Sequence, residues 1–215
     1  MTKVLDHGKI EPIDPMGNDL SISNAARVLK EEWRELEDPK LIKYMLKHGH
    51  TSPFEHVTFT FYVKAPIFVI RQWHRHRTWS FNEVSGRYTR LPKEQYLVKQ
   101  SQIGTQSTTN HQSRDFNENP YSTDIQEIIE YCNAIVYDKY DELLHLGCPR
   151  ELARTVLNFN QYTEMYATVD LHNLLHFLKL RDDEHAQYEI QVYAQAIKDL
   201  IRPVVPVTLD IWENL

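Results

Sequence analysis

Residues 57–65, VTFTFYVKA, constrain the fold more than any other stretch, because apolar and polar side chains alternate along them without interruption. Successive side chains of a strand point to opposite faces, so this pattern predicts a strand with one buried face. Pro66 follows and begins a predicted helix over 67–77, IFVIRQWHRHR, whose first residues are apolar. The stretch therefore predicts a half-buried strand that leads directly into a helix.

Helices dominate the rest of the predicted structure. The spacing of apolar residues predicts further helices at 21–33, 38–50, 123–146, from Pro149 onward, at 171–181 and at 183–201, with a helical turn at 52–56 and a second strand at 161–169. Asp38 and Asp170 are predicted N-caps, as is Ser23 or Asn24, and Gly49 is a predicted stop. Residues 78–92 are predicted to be a loop or irregular strand, and 100–120 a mobile surface excursion. This order predicts an α+β fold, with long helices packed around a small, mostly antiparallel sheet.

The helix predicted at 123–146 carries an apolar stripe that is expected to face the core. Its residues are Ile125, Ile128, Ile129, Cys132, Ile135 and Val136. Cys132 is therefore expected to be a small core residue. Cys148 lies in the junction GCPR, where the neighbouring Arg150 leaves a reactive thiol open as an alternative.

Length and composition narrow the class of protein. The chain of 215 residues suits a single domain, residues 1–215. No apolar run approaches the length of a membrane span, and the N-terminus lacks the apolar segment of a signal peptide. Two cysteines give neither a disulfide framework nor a metal-binding spacing, so reduced thiols are expected. Together these features predict a cytoplasmic protein with no membrane partner.

Positive charge is concentrated locally in a chain whose net charge is −6. It lies in the stretch Arg71–Arg77 and at Arg150, Arg154 and Arg181. An acidic chain with such clusters favours a pocket for a small anion over a groove for a nucleic-acid polymer. After the basic stretch comes Ser85-Gly86-Arg87, where backbone N–H groups and a guanidinium fork suit phosphate oxygens.

Each of these features also has a plainer interpretation. A run of charges is commonly a solvated face, and Arg154 and Arg181 could simply pair with carboxylates such as Asp182, Asp183 or Glu184. The histidines at 48, 50, 56, 74 and 76 are candidate metal ligands. No metal site is expected, because they lack the helical spacing of a zinc site and His74 and His76 lie among arginines. His172 and His176 share a helix face without an evident third ligand.

Several blocks of the sequence together resemble one family. Arg75-His76-Arg77, seven further residues and then Ser85 are similar to the characteristic motif of flavin-dependent thymidylate synthases. Other blocks resemble that family in the same order, from about Gly17 to about Ile197: GNDLSISNAARV, KHGHTSPFEH, KAPIFVIRQWHRHR, NEVSGRY, GCPRELAR and LKLRDDEHAQYEI. Residues 100–120 carry no such block.

The resemblance implies an enzyme. Members of the family are homotetramers that bind FAD at subunit interfaces and convert dUMP to dTMP, with 5,10-methylenetetrahydrofolate as carbon donor and NADPH or NADH as hydride source. The flavin and substrate sites would be shared between subunits. A chain with few glycines and no dinucleotide-fold motif would hold FAD through side chains, for which arginine is suited.

The resemblance also implies which residues form the site. The flavin contacts would be Ser52, Arg75, His76, Arg77 and Glu83, with Asp170, Leu171, His172 and His176 from a neighbouring subunit. The dUMP contacts would be Gln72, Trp73, His74, Arg75, Glu83, Val84, Ser85, Gly86, Arg87, Arg154 and Arg181. Arg181 would be the catalytic residue, favouring the deprotonated uracil ring as a fixed cation. Ser85 would position substrate rather than attack it.

The chain departs from the family pattern at three flavin positions. His172 stands where many relatives have Arg, His176 where some have Asn, and Ser52 where Thr is common. Two other classes of function remain as alternatives. A nucleotide-binding regulator would keep the pocket without reducing flavin, and an RNA-binding module would lose affinity steeply with salt.

Overall fold

A computed structural model describes all 215 residues, and it contains seven strands and eight α-helices. The strands are β1 (Thr2–Val4), β2 (Gly8–Met16), β3 (Thr58–Pro66), β4 (Ser80–Glu83), β5 (Thr105–Gln106), β6 (Arg114–Asp115) and β7 (Tyr162–Asp170). The helices are α1 (Asp19–Ala25), α2 (Pro39–His48), α3 (Ile67–Trp73), α4 (Ser122–His145), α5 (Arg150–Ala153), α6 (Leu171–Arg181), α7 (Tyr188–Ile201) and α8 (Pro206–Glu213). Short 3₁₀ turns lie at Lys30–Glu32, Ser52–His56, Gln100–Gln102 and Arg154–Val156.

One five-stranded sheet forms the centre of the protein, in the order β1-β2-β3-β7-β4. Every neighbouring pair in it is antiparallel, which confirms the predicted α+β class. β3 and β7 pair along their whole length, so Phe59, Phe61 and Val63 lie beside buried residues of β7. The opposite face carries polar pairs such as Thr60 and Thr168, whose hydroxyls are 2.9 Å apart. The alternation in residues 57–65 is therefore the alternation between core and outer face.

The core lies between one face of this sheet and the helices, and aromatic rings join the two. Trp73 at the end of α3 stacks on Phe177 of α6, with ring centroids 5.1 Å apart. Trp79 and Tyr193 of α7 both lie edge-on to Trp73, with ring centroids at 5.7 and 6.1 Å from that of Trp73. This packing fixes the end of α3 against α6, where the basic stretch begins.

The first helices agree only in part with the sequence prediction. α2 begins and ends as predicted, because Asp38 Oδ1 accepts from the Leu41 amide and Gly49 takes a left-handed conformation at φ +68°. The prediction for α1 was wrong: the helix begins earlier, ends at Ala25, and is capped by Asn18, not by Ser23 or Asn24. Ser23 is instead buried, and its hydroxyl accepts from the Asp38 amide at 2.9 Å. A helix after Pro206 was not predicted.

α3 is shorter than predicted, because it ends at Trp73 rather than at Arg77. His74 caps it, and the next basic residues form a turn that leads into β4. His76 lies in this turn as a buried residue, whereas Arg75 and Arg77 are exposed. The chain therefore presents its basic residues from a turn, where neighbouring side chains diverge more than along a helix.

The buried face of α4 was predicted only in part, because Ile125, Ile129 and Val136 are half-buried but Ile128, Cys132 and Ile135 are exposed. The helix packs through Asn133, Tyr137 and Tyr140, since the Tyr137 hydroxyl donates to the Leu91 carbonyl at 2.9 Å and the Tyr140 hydroxyl accepts from the Leu91 amide. Ile128 is 63% exposed and Ile135 40% exposed. The α4 stripe, as we term this exposed surface, consists of Ile128, Tyr131, Cys132 and Ile135.

Residues 100–120 are structured rather than a free excursion. β5 and β6 pair as a small hairpin. Arg114 in β6 forms an ion pair with Glu189 of α7 at 2.7 Å, and the side-chain Nε2 of Gln102 donates to the Tyr188 hydroxyl at 2.6 Å. The segment is therefore anchored to the N-terminal end of α7.

Candidate active site

Arg181 ends α6 without a carboxylate partner. Its Nε donates to His76 Nε2 at 2.9 Å, and its Nη2 donates to the Gln72 carbonyl at 3.4 Å. The acids that follow it are paired elsewhere, as Asp182 with Lys198 and Asp183 with His185. A half-buried guanidinium held by neutral acceptors keeps its full positive charge available to a ligand.

His76 is held in its neutral form. The ring is 8% exposed and lies against Phe177 at 4.9 Å and His176 at 6.2 Å. Burial, together with the charge on Arg181 and the nearby His176, lowers the pKa of His76 to about 4. Because Nε2 accepts from Arg181, the remaining proton lies on Nδ1. The pKa of Arg181 is lowered as well, by burial and by the neighbouring charge of Arg75.

Ser85, Gly86 and Arg87 form a turn after β4, beside α5. The Ser85 hydroxyl accepts from the Arg87 amide at 3.3 Å. Gly86 is buried under Arg154, and a Cβ there would lie 3.1 Å from Arg154 Cδ. Glu151 lies between the two arginines: its carboxylate is 3.6 Å from Arg87 Nε, and its carbonyl accepts from Arg154 Nε. The turn therefore sets Arg87 and Arg154 side by side.

A cavity of about 200 Å³ lies between α2, the 3₁₀ turn Ser52–His56 and α6. Its polar lining comes from His50, Thr51, His172 and His176. Its apolar lining comes from Met45, Leu46, Phe54 and Leu175. Since the rings of His76 and His176 are in contact, this cavity adjoins the pair of His76 and Arg181.

Some of the predicted site residues are engaged elsewhere. The side chains of Trp73 and Leu171 are fully buried in the core, so they line no pocket. Both carboxylate oxygens of Asp170 accept from Asn173, as the cap of α6. His74 is exposed and packs on Phe81. For Trp73 and Leu171, only backbone groups remain to meet a ligand.

The remaining predicted residues lie at the surface of these clusters. Glu83 ends β4, and its Oε1 accepts from the Thr163 hydroxyl at 2.8 Å. Val84 and Ser52 are exposed. Arg75 and Arg77 are exposed and form no ion pair within the chain. Within one chain, no hydrogen bond or ion pair connects the cluster of Ser85–Arg87 and Arg154 to the cluster of His76 and Arg181.

The structure places at the site several residues that the sequence did not predict there. His50 and Thr51 line the cavity, whereas the sequence pointed to His50 only as a candidate metal ligand. Gln187, just before α7, accepts from Gln72 Nε2 at 2.5 Å. The signal for His50 and Thr51 was their position beside Ser52. Gln187 lies six residues after Arg181, within the block LKLRDDEHAQYEI, but its contact with Gln72 joins parts of the chain that are far apart in sequence.

No group of His, Cys, Asp and Glu side chains is arranged to hold a metal ion. No helix is both long and apolar enough to cross a bilayer. Cys132 is exposed on the α4 stripe, contrary to the prediction of a core residue, and Cys148 is half-buried beside α5.

The fold and the unpaired arginines together define a class of protein, an α+β binder of small anionic ligands. Comparison of structures agrees with that class. The UMP/dUMP methylase PolB from Streptomyces cacaoi, bound with 5-Br UMP, is similar with a TM-score of 0.88 and 31% identity over 99% of this chain and 96% of that chain. Its complex with 5-Br dUMP gives the same TM-score.

Comparison of sequences identifies the family. The family described as thymidylate synthase complementing protein matches residues 13–207. A flavin-dependent thymidylate synthase of Wolbachia pipientis wMel is 48% identical over 95% of this chain and 73% of that protein. One from Thermotoga neapolitana is 47% identical over 96% of this chain and 91% of that protein. The chain belongs to the flavin-dependent thymidylate synthase family.

Proposed function

We propose that this protein is an FAD-dependent thymidylate synthase, which methylates dUMP reductively to dTMP. The observation that carries the proposal is the set of arginines without carboxylate partners, because free guanidinium groups suit phosphate and a developing anion. These are Arg75, Arg77, Arg154 and Arg181. In this enzyme, residues 1–215 would form a single domain.

The turn Ser85–Arg87 and Arg154 are assigned to the nucleotide phosphate. Gly86 lacks a side chain where Arg154 crosses the turn, so backbone N–H groups and guanidinium groups can approach the same oxygens. Glu83 and Val84, the two residues before the turn, extend this surface, and Gln72, which lies beside Arg181, is assigned to the nucleotide as well. Ser85 orients the substrate, since no histidine or lysine forms a hydrogen bond with its hydroxyl.

Arg181 is assigned to the uracil ring. Negative charge on the ring is stabilised by a cation that is already in place, because no group must reorganise during the reaction. The neutral His76 and the Gln72 carbonyl hold the guanidinium without neutralising it. Arg181 is therefore the residue that activates dUMP in the proposed mechanism.

The residues present fit a flavin dinucleotide. Arg75 and Arg77 are free to meet its diphosphate, and His172 and His176 offer polar contacts in the cavity, next to Ser52. Glu83, at the end of β4, offers a further carboxylate contact. Bound flavin would supply the reducing equivalents, received from NADPH or NADH, and methylenetetrahydrofolate would supply the carbon. The cavity is smaller than a flavin dinucleotide, so part of the cofactor would lie outside it.

A homotetramer with shared sites would bring the separate parts together. Within one chain the turn Ser85–Arg87 is not bonded to Arg181, and the α4 stripe leaves apolar side chains exposed. Contact with a second copy would cover that stripe. Asp170 to His172 and His176 would then complete the flavin site of a neighbouring subunit.

Titration of apo-protein with FAD, followed by an assay for dTMP, tests the proposal. We expect saturable flavin binding and dTMP formation that requires dUMP, methylenetetrahydrofolate and a reduced nicotinamide together. Binding of FAD and dUMP without turnover would indicate a regulator instead. Absence of flavin binding would exclude the enzyme and its site assignments.

A further inference from the structure

A buried carboxylate lies behind the proposed substrate site and belongs to none of the assignments above. Glu189, in the first turn of α7, is 1% exposed. Its Oε1 accepts from Arg114 Nη2 at 2.7 Å and from the Tyr96 hydroxyl at 3.1 Å, and its Oε2 accepts from Gln187 Nε2 at 2.9 Å. A carboxylate at such depth requires these partners, because unpaired it would be strongly destabilising.

Arg114 holds this carboxylate in place from the hairpin β5-β6. Its guanidinium lies over the rings of Phe116 and Tyr188, at 5.2 and 5.9 Å from their centroids. Stacking fixes the plane of the guanidinium, so its bond to Glu189 has a defined direction. The charge of Glu189 is therefore both balanced and oriented.

The chemistry of a carboxylate determines how the amide of Gln187 must be turned. A carboxylate only accepts hydrogen bonds, so the Gln187 NH₂ group faces Glu189 and the Gln187 oxygen faces away. That oxygen accepts from Gln72 Nε2 at 2.5 Å. The NH₂ group of Gln72 is turned towards Gln187 in consequence, and Gln72 Oε1 is turned away from it. One buried charge thus sets the orientation of two amides in series.

We propose that Glu189 is a positioning residue for the nucleotide site. Through Gln187 it fixes the side-chain amide of Gln72 in the one orientation that meets dUMP. This inference rests on the proposed function, in which Gln72 contacts dUMP. An amide at position 189 could donate as well as accept, so it would let both glutamines turn over and would mix productive and unproductive orientations.

The test compares three variants in steady-state kinetics. Glu189→Gln keeps the shape of the side chain, and Gln187→Leu removes the link to Gln72. We expect both to raise the KM for dUMP by about 2- to 10-fold, the range expected for one hydrogen bond, with kcat nearly unchanged. Tyr96→Phe is the matched control, because it removes a bond to Glu189 without touching Gln187. It should leave the KM for dUMP at the wild-type value.

Flavin reduction in the absence of dUMP separates positioning from a general structural role. FAD content and the rate of flavin reduction by NADPH should equal those of wild type in all three variants. An unchanged KM in folded Gln187→Leu would overturn the inference, and so would a parallel loss of FAD and dUMP affinity. An unchanged KM in folded Glu189→Gln would overturn it equally. If that variant fails to fold, Glu189→Asp replaces it, because it keeps the charge but withdraws the carboxylate from Gln187. Wild-type protein that binds FAD but not dUMP would refute the proposed function itself, and the inference with it.

Discussion

His76 combines burial with a hydrogen bond that a protonated imidazole could not accept. Its Nε2 accepts a hydrogen bond from Arg181 Nε, and both Arg181 and His176 add positive charge nearby. Protonation of the ring would break that bond and place a second cation beside Arg181. The neutral state of His76 is thus a condition for the position of Arg181.

Stability should depend on pH through this ring. The pKa of His76 is about 4 in the folded protein, against 6.5 for an unperturbed histidine, so the unfolded chain binds its proton first as pH falls. The contribution of this ring to the stability of the folded protein is therefore complete above about pH 6.5. As pH falls towards 4, the free energy of unfolding decreases by on the order of 3 kcal/mol. Urea unfolding at pH 7 and at pH 4.5 measures it. His76→Gln keeps a neutral acceptor and should lose less stability over that interval. Equal losses would show that the ring titrates normally.

Arg181→Ala should separate the two half-reactions. The variant should fold and oxidise NADPH with bound flavin, while dTMP formation falls by about 100- to 1,000-fold, as when one electrostatic donor of a transition state is removed. Product analysis and anaerobic flavin reduction measure the two activities. Arg202→Ala is a suitable control, because Arg202 pairs with Glu213 at the surface. Near-normal dTMP formation in Arg181→Ala would remove the residue from the reaction.

At the scale of elements, Gly86 determines how closely the turn Ser85–Arg87 packs against Arg154, which follows α5. A Cβ at position 86 would lie 3.1 Å from Arg154 Cδ and 3.2 Å from Leu91 Cδ1. Gly86→Ala should therefore displace Arg154, weaken dUMP binding about 10-fold and lower the free energy of unfolding by about 1 kcal/mol. Calorimetric titration with dUMP and thermal unfolding measure the two effects. Unchanged affinity would mean that Arg154 does not contact the nucleotide.

Elements with a strong local pattern were predictable from the sequence. β3 followed from uninterrupted alternation and α2 from its cap and stop residues, because in both cases local chemistry and tertiary packing agree. α1 and α3 were misplaced at their ends. Asn18 and Ser23 are both good caps in isolation, and only the bond from the Asp38 amide shows that Ser23 is used for packing.

The site was predictable to the extent that the resemblance carried it. The basic stretch and the turn Ser85–Arg87 are continuous in sequence, so their motif is visible. Gln187 and Glu189 were not predictable as site residues, because their link to Gln72 depends on how α7 packs beside α3. Arg114 was hidden in the same way, within a segment that local polarity marks only as a loop.

At the scale of the whole molecule, α4 has two faces that local pattern alone cannot tell apart. Periodicity marked its isoleucines as core, but the single chain buries Tyr137 and Tyr140 and leaves Ile128 and Ile135 exposed. Tyr137 and Tyr140 form the buried face because their hydroxyls form hydrogen bonds with backbone groups of Leu91, which isoleucine cannot do. The apolar side chains of the α4 stripe therefore remain uncovered in one chain and match what a subunit interface requires.

A charge on the α4 stripe should dissociate the proposed tetramer and reduce activity with it. Ile128→Glu would bury a carboxylate against apolar side chains of a second copy, which is strongly unfavourable without a partner cation. Light scattering should report a tetramer for wild type and smaller species for the variant at the same micromolar concentration. Because the flavin site is proposed to be shared, FAD content and dTMP formation should fall together with the tetramer. Ala134→Glu places the same charge at an exposed position of α4 outside the stripe and should remain tetrameric and active. An active monomer of Ile128→Glu would show that each chain carries a complete site.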